Sequence, residues 1–186
     1  MSGYTLKQIA LLRGINVNGH NVIKMTVLKQ LFADLGFLNV VTYLQSGNVV
    51  FDSPETSCEG NQKKLEYHIL KNLGLTVSVV ILEKEKLISI KDSCPFMSAK
   101  YDQGAVYITF PASKINLNTL SDFMPPKAPG EEVVLTESAV YLYLPSGYGR
   151  SRLNNNFFEN RLKTAATTRT LKTVNELVIL AGQKEN

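Results

Sequence analysis

The chain contains no tryptophan and only two cysteines and two histidines. Cys58 and Cys94 share no CxxC spacing, so neither a disulfide framework nor a paired redox motif is expected, and reduced or buried thiols are. Two cysteines and two histidines spread over the whole length also exclude a zinc-finger ligand set, and no metal site is expected. His68 follows Leu65 by three residues and reads as a helix-edge histidine, whereas His20, in a loop, reads as a surface residue or a ligand contact. Long apolar runs are missing: Val77 to Leu82 is strand-sized, far below the roughly 20 residues of a membrane span. Met1 to Thr5 show no charged region leading into an apolar one, so no signal peptide is visible and a cytoplasmic protein is expected. The GxxxxGK[ST], GxSxG and HExxH patterns are absent too, which leaves no Walker loop, nucleophile elbow or zincin helix, and no cofactor is implied.

What is present is an ordinary globular composition. Of 186 residues, 44% are hydrophobic and 19% charged, enough to close one sizeable core or two small ones without disulfides. The net charge of +4 is unevenly placed. Residues 1–149 hold thirteen basic and thirteen acidic residues; residues 150–186 hold seven basic against three acidic. Such a tail is either a solvated basic face or a seat for an anionic partner.

Periodicity supplies the architecture. Tyr4 to Leu12 reads as a strand, and Met25 to Leu35 as a helix with Leu28, Leu31, Phe32 and Leu35 on one face. Gly36 followed by Phe37 fits a Schellman-type stop. Val40 to Gln45 and Asn48 to Phe51 form a hairpin around Ser46-Gly47. Leu65, Ile69 and Leu73 mark a second helix closed by Gly74, and Thr76 to Leu82 a further strand. Glu83 to Asp92 reads as a connecting helix and Ser93 to Asp102 as a polar loop.

The pattern then resumes. Ala105 to Phe110 is a strand, Leu117 to Met124 a short helix, and Glu132 to Thr136 with Ala139 to Leu144 a second hairpin. A helix over Asn155 to Lys163 and an extended piece over Ala166 to Arg169 follow. A last helix runs through Ala181, capped by Thr170 or by Thr173. The expectation is an α+β fold of two tandem ferredoxin-like β-α-β-β-α-β subdomains, each an antiparallel sheet with helices packed on one face. The boundaries are 1–82, a connecting helix and loop over 83–102, and 103–186 with the terminal helix.

Two places combine residues suited to holding a ligand. At the end of the first strand, Arg13-Gly-Ile-Asn16 turns the chain and the loop Asn18-Gly-His-Asn21 follows. Arginine holds a carboxylate or phosphate through paired hydrogen bonds, and amides can orient what is bound. Gln45, Ser46 and Asn48 belong beside this turn, because the first and third strands of such a sheet are neighbours. The competing assignment is equally physical: turn asparagines satisfy loop backbone groups, and Arg13 pairs with an acidic neighbour.

The second place is Pro145-Ser-Gly-Tyr-Gly-Arg-Ser-Arg152 leading into Asn154 to Asn156, with two arginines and no carboxylate between Ser138 and Phe158. It is either a phosphate seat at a helix start or a surface loop whose asparagine caps the helix. Catalytic groups are sparse: Tyr43, Tyr148 and Glu159 are the candidates for an enzyme of unknown reaction, and their roles are open.

Leu11-Leu-Arg-Gly-Ile-Asn-Val17, Asn21, Met25, Gly36, Thr42-Tyr-Leu-Gln-Ser-Gly-Asn-Val-Val-Phe51 and Ala166-Thr-Thr-Arg169 together carry a family resemblance. The chain resembles the bacterial family of domain of unknown function 1697. The resemblance implies two similar β-α-β-β-α-β subdomains over essentially the whole chain, and it implies no activity, cofactor or catalytic residue. The functional expectation is therefore a small anionic or phosphorylated ligand held between the subdomains. Arg13, Arg152 and Arg169 would neutralise its charge, and Asn16, Asn21, Gln45, Ser46 and Asn48 would orient it. RNA binding is the alternative, with no membrane partner expected; an RNP-like strand is missing from both halves, which weighs against RNA.

Overall fold

The computed structural model describes residues 5–17, 19–54, 57–120 and 123–183, apart from the side chain of Thr119. They form two compact units, one of residues up to Ile88 together with those from Leu177 onward, the other Ser89–Glu176.

In the first unit β1 (Leu6–Leu12), α1 (Met25–Asp34), β2 (Leu38–Tyr43), β3 (Asn48–Ser53), α2 (Cys58–Leu73) and β4 (Val79–Glu83) follow one another. The sheet order is β2-β3-β1-β4, antiparallel throughout, which is the ferredoxin-like arrangement. Helix α1 stops as its sequence suggests. Gly36 turns left-handed at φ 78° and donates to Ala33, while Phe37 donates to Phe32, the two bonds of a Schellman motif. The Phe37 ring then meets Phe32 at 5.8 Å and Phe51 at 4.7 Å. These rings join Leu28, Leu31, Leu65 and Ile69 in the core between the helices and the sheet. At the start of α2, Ser57 accepts the Gly60 N–H at 3.0 Å, and Gly74 ends the helix at φ 67°. His68, on α2, lies with Nε2 3.5 Å from Asp34 of α1. Burial goes beyond the helix-covered face: Ile9, Leu11, Val50 and Val80 are also buried, so the central strands read as continuous apolar runs.

The helix α3 (Lys84–Asp92) comes next, and then the second unit builds its own sheet. It comprises β5 (Val106–Pro111), β6 (Glu132–Leu135), β7 (Val140–Tyr143), α4 (Asn155–Leu162) and β8 (Ala166–Thr170), ordered β6-β7-β5-β8, with α5 (Leu171–Gly182) closing the chain. Both divisions between the units fall inside helices, α3 and α5.

One expected element is replaced. The helix anticipated over Leu117 to Met124 is only a 3-10 turn, Leu117–Leu120, with Ser121 and Asp122 outside the described residues. Asn116 Oδ1 takes the Asn118 N–H at 3.2 Å, and Pro125 and Pro126 have no N–H with which to extend a helix. At the last helix the two candidate caps separate: Thr170 Oγ1 accepts the Thr173 N–H at 3.1 Å, so the helix starts at the earlier position.

Candidate functional site

Six of the expected site residues meet at one end of the first sheet. There β1 ends, the 13–23 loop leaves for α1, and the 44–47 turn joins β2 to β3. Leu12 donates its N–H to Gly47 at 2.8 Å, and Arg13 donates its own to Ser78 at 2.8 Å, so the strand end is tied on both sides. Ile15 and Ile23 sink into the core and anchor the long loop at two points.

Between those anchors Asn16 acts as a staple. Its Nδ2 donates to the Ile23 carbonyl at 3.0 Å and to the Gln45 carbonyl at 2.7 Å, and its Oδ1 accepts the Ile23 N–H at 2.9 Å. Asn16 sits at φ 56°, a left-handed posture that asparagine tolerates better than most residues. Asn21, at φ 47°, reaches the Gly14 carbonyl at 3.4 Å. Asn48 is buried at the start of β3 and donates to the Tyr43 carbonyl and the Ser46 hydroxyl, each at 3.0 Å. The amides of Asn16, Asn21 and Asn48 thus bond the loops themselves, whereas Gln45 leaves its side chain exposed and contributes its carbonyl to the staple. Asn18 lies outside the described residues.

The stapled loops present an unusual surface. Gly14, Gly19, Gly47 and Leu44 all have positive φ, Leu44 at 57°. A leucine held left-handed costs about 1–2 kcal/mol, and this one is 55% exposed, so its own burial does not offset the cost. Strain of this sort concentrates where a loop meets a ligand or partner. Arg13 is half-buried, and His20 and Lys24 are exposed. A charge signal in the sequence supports the same place and is not captured by counting residues 1–149 together. Asp34 is the only carboxylate in residues 1–51, against Lys7, Arg13, Lys24 and Lys29. Neither loop carries a negative charge.

The C-terminal candidates lie in the second unit and behave differently. Arg169, on β8, is 8% exposed and donates through Nη1 to Thr167 Oγ1 at 2.6 Å and to the Thr168 carbonyl at 2.9 Å. Burial pulls its guanidinium down to about 10, an effect the nearby Tyr148 phenol opposes. Thr168, the preceding residue, sets its hydroxyl 2.7 Å from Thr109, 2.6 Å from Asn155 and 3.3 Å from the Tyr148 hydroxyl. Tyr148 also accepts the Asn155 N–H at 2.8 Å, and Asn154 accepts that of Phe157 at 3.0 Å. The start of α4, read above as a phosphate seat or a capped helix, is therefore capped by Asn154 and bonded by Tyr148. Glu159 accepts the Ala166 N–H at 3.0 Å, and Arg152 stands exposed on the loop. Among the described residues, no three His, Cys, Asp or Glu side chains gather as metal ligands. No helix among them is long and apolar enough to cross a membrane.

Comparison with known proteins places this architecture. The pattern of a family described as a protein of unknown function, DUF1697, matches residues 6–141, nearly three quarters of the chain. The chain belongs to the DUF1697 family. A solved structure of a conserved bacterial protein from Streptococcus pneumoniae superposes on it with a TM-score of 0.74 at 20% identity, covering 96% of this chain and 99% of that one. That likeness supports the shared fold. No curated protein matches the sequence significantly. In this DUF1697 chain the segments 11–17 and 42–51, which carry the resemblance, are largely the stapled loops with their strands. Ile15, Asn16, Gly47 and Asn48 in those segments hold the loops in shape, while Arg13, Leu44 and Gln45 are what the loops offer outward or at their rim.

Proposed function

We propose that this protein binds a small anionic ligand at the paired loops 13–23 and 43–48 of its first unit. Arg13 supplies the principal positive charge, Lys24 adds to the local field, and the Gln45 side chain orients the ligand. The observation that carries this reading is the Asn16 staple, which fixes two carboxylate-free loops, one bearing Arg13 and the other the Gln45 amide, against each other. Prearranged loops bind at a lower entropic cost than loops that must order around a ligand. Binding rather than catalysis fits the groups present, because arginine and amides position charge but transfer protons poorly near neutral pH.

The test is thermal unfolding and titration calorimetry against a panel of small carboxylates and phosphates, using the protein, Arg13→Met, Gln45→Ala and the second-unit control Arg161→Ala. A ligand present at about 100 times its Kd should add roughly 2.7 kcal/mol to stability. We expect one anion class to stabilise the protein and the Arg161→Ala control, and to lose most of its effect in Arg13→Met. A panel without any shift, or a shift untouched by both loop variants, sinks the proposal.

A further inference from the structure

The same three bonds that fix the loops also draw apolar residues of both loops together. Asn16 Nδ2 and Oδ1 tie together three backbone positions: its own, that of Ile23 and that of Gln45. Each of these has an immediate neighbour in sequence that is large, apolar and exposed: Val17 at 51%, Val22 at 66% and Leu44 at 55%. One side-chain amide therefore gathers three exposed apolar residues from two loops into one neighbourhood. The arrangement is not what loop chemistry alone would produce. Leu44 occupies a left-handed position where asparagine or glycine is more comfortable, and Val17 and Val22 flank a tight turn closed by the His20 N–H bonding the Val17 carbonyl at 2.9 Å. Scattered single exposed apolar residues need no explanation, but a gathered set does, and Asn21, next to Val22, bonds the carbonyl of Gly14, next to Arg13, at 3.4 Å.

Resting on the anion-binding reading above, we infer that the ligand is amphiphilic: a small acid whose carboxylate or phosphate meets Arg13 and whose apolar body lies on Val17, Val22 and Leu44. A bare inorganic anion satisfies the charge and leaves the apolar residues in water. A highly polar anion such as a sugar phosphate would set hydroxyl groups against the apolar side chains of Leu44 and the two valines, at the cost of their water. An acid with an aliphatic or aromatic body uses both halves of the surface.

The inference is tested with straight-chain carboxylates from acetate to octanoate, with inorganic phosphate and with octanol, titrated into the protein and into Leu44→Asn. Asparagine suits the backbone posture of residue 44, so that variant keeps the fold while removing apolar surface. Burying one methylene should tighten binding roughly fourfold, so Kd should fall by about that factor per added carbon until the patch is covered. Leu44→Asn should flatten this series, and octanol should bind far more weakly than octanoate. Carboxylates that bind with no dependence on chain length overturn the amphiphilic inference and leave anion binding standing. A chain-length dependence undiminished in Leu44→Asn combined with Val22→Ser overturns it as well, since the apolar contact then lies elsewhere. If no anion binds at any length, or octanol matches octanoate, the anion-binding reading itself fails.

Discussion

The two loops that looked alike in sequence use their polar residues in opposite ways. The 13–23 loop of the first unit and the 145–154 loop of the second both follow a strand, carry glycine, arginine and asparagine, and lead into a helix. In the first, Asn16 turns inward to bond two stretches of backbone, and the apolar side chains of Val17 and Val22, with Leu44 of the 43–48 loop, are left outside. In the second, Asn154 caps α4, Tyr148 bonds Thr168 and the Asn155 N–H, and the arginines Arg150 and Arg152 are left outside. The first is a cross-braced scaffold with a mixed apolar and cationic surface; the second is a capped helix start with a solvated basic edge. A count of amides and cations does not separate them. The direction of each hydrogen bond does.

The sharpest contrast should come from glycine. A Cβ at Gly47 would lie 2.7 Å from Leu12 Cβ and 2.9 Å from Ile15 Cδ1, at φ 75°, whereas one at Gly149 meets nothing within 4 Å. Gly47→Ala is expected to lose about 4 kcal/mol, combining overpacking with left-handed strain, and Gly149→Ala to stay within about 0.5 kcal/mol. Urea unfolding midpoints measure both, and equal effects would mean that the first loop is no more tightly braced than the second. The asparagines come next. Asn16→Ala removes three hydrogen bonds from a left-handed position and should cost about 3 kcal/mol, against about 1 kcal/mol for the cap variant Asn154→Ala. A cost for Asn16→Ala no larger than for Asn154→Ala would remove the staple from the account.

Smaller effects sharpen the same comparison. Leu44→Asn should leave stability unchanged or raise it by about 0.5 kcal/mol, because asparagine fits the backbone posture and little buried contact is lost. A marked destabilisation would show that Leu44 packs more than it presents. The thiols give the last contrast between units. Burial, aided by Glu83, pushes Cys58 in the first unit up to about 11, and burial raises Cys94 in the second. Both should resist maleimide at pH 8 until the protein unfolds. Because the folded Cys58 holds its proton above the unfolded value of 9.0, its contribution is full below pH 9 and fades as pH rises toward 11. Rapid labelling of native Cys58 at pH 8 would contradict the burial that causes the shift.

Much of the fold could be read along the chain because its signals are local. The stops at Gly36 and Gly74, the face of Leu28, Leu31 and Phe32, and the hairpin before Asn48 each depend on residues within a few positions of one another. The helix expected over 117–124 from its apolar spacing fails for a reason equally local: Asn116 and the Pro125-Pro126 pair break the backbone ladder. Residue type alone also brought Arg13, Asn16, Gln45 and Asn48 forward as neighbours, since the sheet order follows from the element order.

What the sequence by itself determined about this protein is thus the order of its elements, the pairing of its strands and the end of the sheet where polar residues collect. Only the tertiary structure decided which way those residues turn. The bond from Asn16 to Gln45 spans 29 positions, and the burial that depresses Arg169 comes from surroundings no short window contains. Hydrogen-bond direction and desolvation belong to the packed state. They arise when distant segments close around a side chain, so no spacing along the chain could have carried them.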